Sequence, residues 1–311
     1  MEYRNLGNSG LQVSVAGLGC NNFGMRCNLE QTRAVVDKAI DVGINLFDTA
    51  DIYGGTKSEE MLGEVLAGRR DKVVLATKFA GKLGDGPMQS GASRRYIFSA
   101  VEASLRRLNT DYIDLYQIHF PDARTPIEET MGALDDIVRA GKVRYIGHSN
   151  FSGWQTAEAH YIAKSDHLTP FVSAQNEYSL LERSVEKELV PACSKFGLGI
   201  LPYFPLASGF LTGKYRRGEP LPEGTRFAAW GPMSKRWMND RGWDCLEKLE
   251  TYASDKGHTM LELAMSWLAA KPAVASVIAG ATKPEQVEQN AAAVDWKLTP
   301  EEVSEIEAIV S

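Results

Sequence analysis

Four ionisable residues of complementary type stand at the ends of short apolar runs: Asp48 after Ile44–Phe47, Tyr53 five residues on, Lys78 after Val73–Thr77 and His119 after Tyr112–Ile118. Tyrosine is a weak acid, with an unperturbed pKa of about 10, and a neighbouring ammonium eases proton release by stabilising the phenolate. Lys78 beside Tyr53 would supply that charge, and Asp48 would hold the lysine protonated and oriented. His119 could donate a hydrogen bond to a carbonyl oxygen and stabilise the alkoxide that forms when a hydride arrives. Together the four describe a proton-donating, oxyanion-stabilising pocket. Singly, each has a plainer reading: an Asp or Lys at a strand end is ordinarily a cap or a structural ion pair, and a lone His a satisfied core residue. Their conjunction on successive strand ends points to catalysis.

The elements that would position these residues read as βα repeats. An opening segment from Tyr3 to Val15, with Asn8-Ser9-Gly10 as the turn, reads as a hairpin. Short apolar runs then alternate with amphipathic stretches. The candidate strands are Ala16 to Gly19, Ile44 to Phe47, Val73 to Thr77, Tyr112 to Ile118, Val143 to Gly147, Phe171 to Ala174, Gly199 to Tyr203 and Val274 to Ile278. Between them Ile97, Val101, Leu105 and Leu108 recur at helical spacing. Thr125-Pro126-Ile127-Glu128 and Thr299-Pro300-Glu301-Glu302 each combine an N-cap, a first-turn proline and a capping-box acid. Eight strands is the number that a (β/α)8 TIM barrel needs, and its catalytic residues lie at the C-terminal strand ends. An open doubly wound sheet fits less well, because Gly17-Leu18-Gly19-Cys20-Asn21-Asn22 lacks the G-x-G-x-x-G spacing. The expectation is one barrel domain over residues 1–311. Its long irregular stretch after strand seven, Ala207 to Lys235, reads as a lid over a cofactor or substrate.

Composition narrows the partners. The chain has 44% hydrophobic and 24% charged residues and a formal net charge of -6, which gives no global attraction to nucleic acid or anionic lipid. Cys20, Cys27, Cys193 and Cys245 form no CxxC pair, so reduced structural thiols are expected rather than a metal site or a dithiol. Met1-Glu2-Tyr3-Arg4-Asn5 lacks the apolar core of a secretory signal, and no apolar run reaches membrane-spanning length. The cytoplasm is the expected compartment, with no nucleic-acid or membrane partner and with a homo-oligomer admissible.

The run Gly43-Ile44-Asn45-Leu46-Phe47-Asp48-Thr49-Ala50-Asp51-Ile52-Tyr53-Gly54, followed by Ser58-Glu59 and Gly63, resembles the first signature of the aldo-keto reductase family. Ser104-Leu105-Arg106-Arg107-Leu108 and Asp111 through His119 resemble the family's segment from helix three to strand four. The likeness continues through Gly147 to Phe151, Gln175 to Tyr178, Tyr203 to Leu206, Gly209 to Lys214 and Gly280 to Gln286, and so covers nearly the whole chain. It implies an NADPH-dependent reductase of aldehydes or ketones, with NADH use open. In it Tyr53 is the general acid, Lys78 and Asp48 tune it, and His119 orients the carbonyl.

The resemblance also implies cofactor contacts. Ser149, Asn150 and Gln175 would hold the nicotinamide carboxamide and Tyr203 would stack on its ring. Leu206, Gly209 and Lys214 would line the pyrophosphate, and Cys20, Asn21 and Asp48 the ribose. Gly280, Thr282 and Lys283 would meet the 2'-phosphate, with Gln286 and Asn290 at the adenine. Many members carry arginine where Gln286 stands. Phe23, Met25, Phe79, Phe120 and Trp230 follow strand ends or lie in the long loop, and could wall an apolar substrate pocket. Some relatives resemble potassium-channel β subunits, so a redox-sensing module with slow turnover is the competing function. A barrel lyase with Lys78 as Schiff-base nucleophile would leave Ser149, Asn150, Gln175 and Tyr203 unexplained.

Overall fold

The strands that build the molecule are short and buried on both faces, as in the unbroken patterns of Val74–Phe79 and Ile113–Ile118. That is the signature of a parallel sheet with side chains packed inside and helices outside. The computed structural model describes residues 1–86, 88–229 and 236–311. After β1 (Tyr3–Asn5) and β2 (Gln12–Ser14) come β3 (Ala16–Gly19), β4 (Leu46–Asp48), β5 (Val74–Phe79), β6 (Ile113–Ile118), β7 (Val143–Ser149), β8 (Phe171–Gln175), β9 (Gly199–Ile200) and β10 (Val277–Gly280). Each of β3 to β8 pairs in parallel with the next, and β10 pairs with β3.

The last seam closes through single bonds: Ile200 N to Ala273 O (2.7 Å), Ala275 N to Ile200 O (2.9 Å) and Ile278 N to Pro202 O (3.1 Å). The result is a (β/α)8 barrel. The hairpin β1–β2 plugs its N-terminal end, where Leu6 and Val13, fully buried, pack on Leu46, Val74, Leu115 and Leu201.

Helices α1 (Leu29–Asp41), α2 (Lys57–Val65), α3 (Arg94–Arg107), α4 (Ile127–Arg139), α5 (Gly153–Ser165) and α6 (Leu189–Phe196) follow successive strands, and helices Pro284–Ala292 and Pro300–Val310 end the chain. A Cβ on Gly63 in α2 would meet the Arg107 carbonyl at 2.4 Å, so only glycine lets α2 approach the end of α3 this closely. Among the described residues no helix is long and apolar enough to cross a membrane.

Several sequence expectations change at their edges; the last strand, expected from Val274 to Ile278, runs Val277–Gly280, with Val274 making only an isolated bridge to Ile200. β4 starts at Leu46 rather than Ile44, because the Ile44 amide bonds Ala39 O (2.8 Å) in the turn at Gly43, whose φ is +83°. β9 spans only Gly199–Ile200 of the expected Gly199 to Tyr203, although single bonds from Leu201 N to Ala174 O (2.9 Å) and Tyr203 N to Asn176 O (3.1 Å) still tie the chain to the β8 side. Thr299 caps its helix as expected, accepting from Glu302 N (3.2 Å) while Glu302 returns to Thr299 N (3.0 Å). Thr125 does not cap: α4 begins at Ile127, and the Thr125 hydroxyl donates to Asp122 Oδ2 (2.9 Å), a charged acceptor that wins over the helix amides.

Candidate active site

β4, β5 and β6 deliver their polar residues to one rim. Asp48 is the last residue of β4, Lys78 pairs in register with Gln117 across β5 and β6, and His119 follows β6 directly. Lys78 is wholly buried. Its Nζ donates to Asp48 Oδ2 (2.7 Å) and Thr49 O (2.8 Å) and lies 5.1 Å from the centroid of the Tyr53 ring. Asp48 Oδ1 accepts from Gln175 Nε2 (2.9 Å) and Gln117 Nε2 (3.3 Å). Both carboxylate oxygens are thus bonded, which is the condition for a charged pair to survive away from water.

The protonation states follow from burial and charge. Burial alone would strip the Lys78 proton, but Asp48 and then Tyr53 outweigh it and hold the ammonium above its usual range. Burial pushes the Tyr53 phenol up, against the pull of Lys78, and burial wins. The expected easing of proton release is therefore a partial offset here, not a net lowering. His119 is held down to about 3, by burial first and by Lys78 second, so its imidazole is neutral at neutral pH. The ring stacks on Phe120 (4.3 Å between centroids) and meets Tyr53 edge-on (5.9 Å), and its Nδ1 is buried without a partner.

A cleft of about 860 Å3 opens from this corner. Tyr53 and His119 line it together with Cys20, Asn21, Asp48, Ser149, Asn150, Gln175, Tyr203, Leu206, Gly209, Lys214, Gly280, Thr282, Lys283, Gln286 and Asn290, while Lys78 stands behind. Asn150, at φ +62°, ties three strand ends together. It donates to His119 O (2.9 Å) and Ser149 Oγ (3.1 Å) and accepts the Tyr203 hydroxyl (2.8 Å). Ser149 Oγ donates to Gln175 O (2.7 Å). Past Tyr203 the chain turns through positive φ at Phe204, Ala207, Ser208 and Gly209. Gln286 Oε1 accepts from Thr282 N (2.8 Å) and Thr282 Oγ1 (3.2 Å) at the start of helix Pro284–Ala292.

The expected apolar wall fares differently. Phe120 lines the cleft. Phe79 does not: side chains alternate along a strand, so with Lys78 pointing inward Phe79 points to the helices, where it stacks on Tyr116 (4.8 Å). Phe23 is fully buried within its own loop and Met25 is exposed, and neither lines the cleft. Trp230 lies outside the described residues. Sequence reasoning missed Arg26, which lines the cleft and donates to Gly224 O (2.9 Å) in the long segment after β9. It also missed Glu223 and Thr225 beside it. Nothing in the sequence announces that two segments about 200 residues apart meet there.

The profile of the aldo/keto reductase family matches residues 16–311. A rice protein described as a probable voltage-gated potassium channel subunit beta is 40% identical, over 100% of this chain and 97% of that protein. An uncharacterized oxidoreductase of Bacillus subtilis is 38% identical over 97% of this chain and 93% of its own length. The L-glyceraldehyde 3-phosphate reductase of Escherichia coli O157:H7 is 35% identical over 99% and 92%. With the closed parallel barrel and the rim just described, the match makes the chain a member of the aldo/keto reductase family.

Proposed function

We propose that the chain is a carbonyl reductase that draws on NADPH in preference to NADH, with Tyr53 as general acid and a small aldehyde or ketone as substrate. The observation that carries this reading is the wholly buried ammonium of Lys78, bonded to Asp48 and lying beneath Tyr53 at the end of a long cleft. The reduced nicotinamide supplies the hydride. Tyr53 gives its hydroxyl proton to the carbonyl oxygen, and the Lys78 charge stabilises the phenolate left behind. Asp48 keeps that charge in place. The neutral His119 imidazole orients the carbonyl oxygen by a hydrogen bond.

The cleft suits a dinucleotide. Its volume lies near the top of the range of about 300–1,000 Å3 for small-molecule sites, and Tyr203 offers a flat face beside the polar group of Ser149, Asn150 and Gln175. Cys20, Asn21 and Asp48 stand where the ribose would lie. Leu206, Gly209 and Lys214 flank the middle, with Gly280, Thr282, Lys283, Gln286 and Asn290 at the far end. There a hydroxyl and a cation beside a helix N-terminus fit a phosphate. A cytoplasmic location would give the chain access to this cofactor.

A second reading has a specific support: rice and Arabidopsis relatives at 40% and 38% identity are described as probable potassium channel β subunits. On that reading the same site senses the cofactor and turns over slowly. Titration with NADPH and NADH by nucleotide fluorescence, followed by an aromatic aldehyde, separates the two. Decay of the bound signal supports the reductase; tight binding without decay supports the sensor. Tyr53→Phe should abolish nearly all aldehyde-dependent decay and leave cofactor affinity almost unchanged, and preserved turnover would refute the mechanism.

A further inference from the structure

Next to Tyr53 lies a second group of ionisable side chains that the chemistry above does not use. Asp51, two residues before Tyr53, is wholly buried, and neither carboxylate oxygen has a hydrogen-bond partner among the described residues. Every element packed around it presents a titratable group: Glu59 from α2, Arg107 and Tyr96 from α3, Lys78 from β5 and Tyr116 from β6. The cations are already engaged. Arg107 Nε bonds Glu59 Oε2 (2.6 Å), Thr77 Oγ1 bonds Glu59 Oε1 (2.6 Å), and Lys78 is held by Asp48. The Tyr116 hydroxyl is buried without a partner too.

A second carboxylate charge in this chamber would therefore face Glu59 with no counter-ion of its own among the described residues, which burial strongly disfavours. A neutral carboxyl avoids that cost and gains an O–H donor beside an acceptor-rich Glu59 and an unpartnered tyrosine oxygen. Burial, with Glu59 adding to it, pushes the Asp51 carboxyl up to about 8, against smaller pulls from Arg107 and Lys78.

The backbone connects this chamber to the catalytic residue. Asp51 N donates to Lys78 O (3.1 Å), Tyr53 N to Ala50 O (3.2 Å) and Ser58 N to Tyr53 O (3.2 Å). The turn that carries Tyr53 is thus suspended between the Asp51 attachment on β5 and the start of α2.

We propose that Asp51 is a positioning residue whose neutral, protonated carboxyl keeps the Tyr53 turn seated against β5, and whose ionisation unseats it. The proposal rests on Tyr53 as the proton donor. Ionisation puts an unpaired charge beside Glu59, and the turn relieves it by moving toward water, which carries Tyr53 off the Lys78 ammonium. Carbonyl reduction should then fall about tenfold per pH unit above a midpoint near the Asp51 value, below the range where the Tyr53 phenol itself titrates.

The test is the pH dependence of kcat and kcat/KM in the wild type and in Asp51→Asn, whose amide stays neutral at every pH. The variant is expected to keep its turnover at pH 7 and to lose the alkaline limb. A folded variant that is inactive at pH 7, or that keeps the same limb, overturns the proposal, as does a wild type with no limb below pH 10. Carboxyl 13C NMR of the aspartate-labelled wild type gives an arm that needs no variant: one aspartate must titrate above pH 7, and none doing so is a refutation. If the wild type shows no reductase activity at any pH, the chemistry assigned to Tyr53 fails separately. The positioning claim is then read from the Tyr53 ring resonances, which must move between pH 7 and 9 in the wild type and stay put in Asp51→Asn.

Discussion

Removing the charge of Asp48 should destabilise the fold more than removing that of Lys78, although the two form one pair. In Asp48→Leu the wholly buried ammonium loses its one carboxylate among the described residues and is left with the neutral oxygens of Thr49 and Tyr53. An uncompensated buried charge of this kind costs about 3–5 kcal/mol. In Lys78→Met the carboxylate keeps the donors of Gln175 and Gln117 and lies at the cleft wall, so the loss is that of one charged hydrogen bond, about 1–3 kcal/mol. The double variant removes both charges and should be more stable than Asp48→Leu alone, leaving a coupling energy of about 2–3 kcal/mol. Unfolding entropy of about 2.1 cal/mol/K per residue over this chain gives about 0.65 kcal/mol/K. The expected Tm losses are therefore about 5–8 °C for Asp48→Leu and about 2–5 °C for Lys78→Met. Thermal and urea unfolding of the three variants tests this. The reasoning fails if Lys78→Met is the more damaging change, or if the single costs simply add.

Acid should weaken the protein through two histidines. His148, buried against Phe151 and Phe171, is held down to about 3 by burial, as is His119. With folded values far below the unfolded 6.5, the unfolded chain takes up protons that the fold cannot, so this stability is present above pH 6.5 and drains as pH falls toward 3. Each histidine contributes a slope of about 1.4 kcal/mol per pH unit. Urea unfolding of His148→Phe should show its stability rising relative to wild type by about that amount for each unit below pH 6; a constant difference would show that His148 is protonated in the fold. At the other end of the cleft, Gln286→Arg frees the Thr282 amide and hydroxyl, now bonded to Gln286 Oε1, and adds a cation where a 2'-phosphate would sit. The ratio of the Kd for NADH to that for NADPH should rise about tenfold in fluorescence titration, and an unchanged ratio would place the phosphate elsewhere.

The barrel was legible because its strands are runs buried on both faces, a pattern set by residues adjacent in sequence. Their ends were less so: the turn at Gly43 trims β4, and β9 keeps only Gly199–Ile200 of its run, by backbone bonding that apolar runs do not record. The gathering of Asp48, Lys78 and His119 at one rim was legible for a related reason, since a polar residue closing an apolar run must emerge there. The same logic misplaced Phe79, one residue past Lys78, because proximity in sequence ignores the alternation that sends neighbours to opposite faces.

Of the charge states, only that of the Lys78 ammonium beside Asp48 was legible. Asp48 and Asp51 stand three residues apart in Asp48-Thr49-Ala50-Asp51, and nothing local tells them apart. One receives Lys78, Gln117 and Gln175 from positions 30 to 127 residues away, and the other finds Glu59 and an unpartnered tyrosine. Tyr53 makes the same point in sign. The sequence places a lysine beside it and so predicts a lowered phenol pKa, yet the depth of burial is the larger influence and the net direction is upward. Lys78 therefore acts chiefly by limiting what burial does to Tyr53. On the mechanism proposed above, the seating of the turn, which sets their separation, would govern the proton transfer.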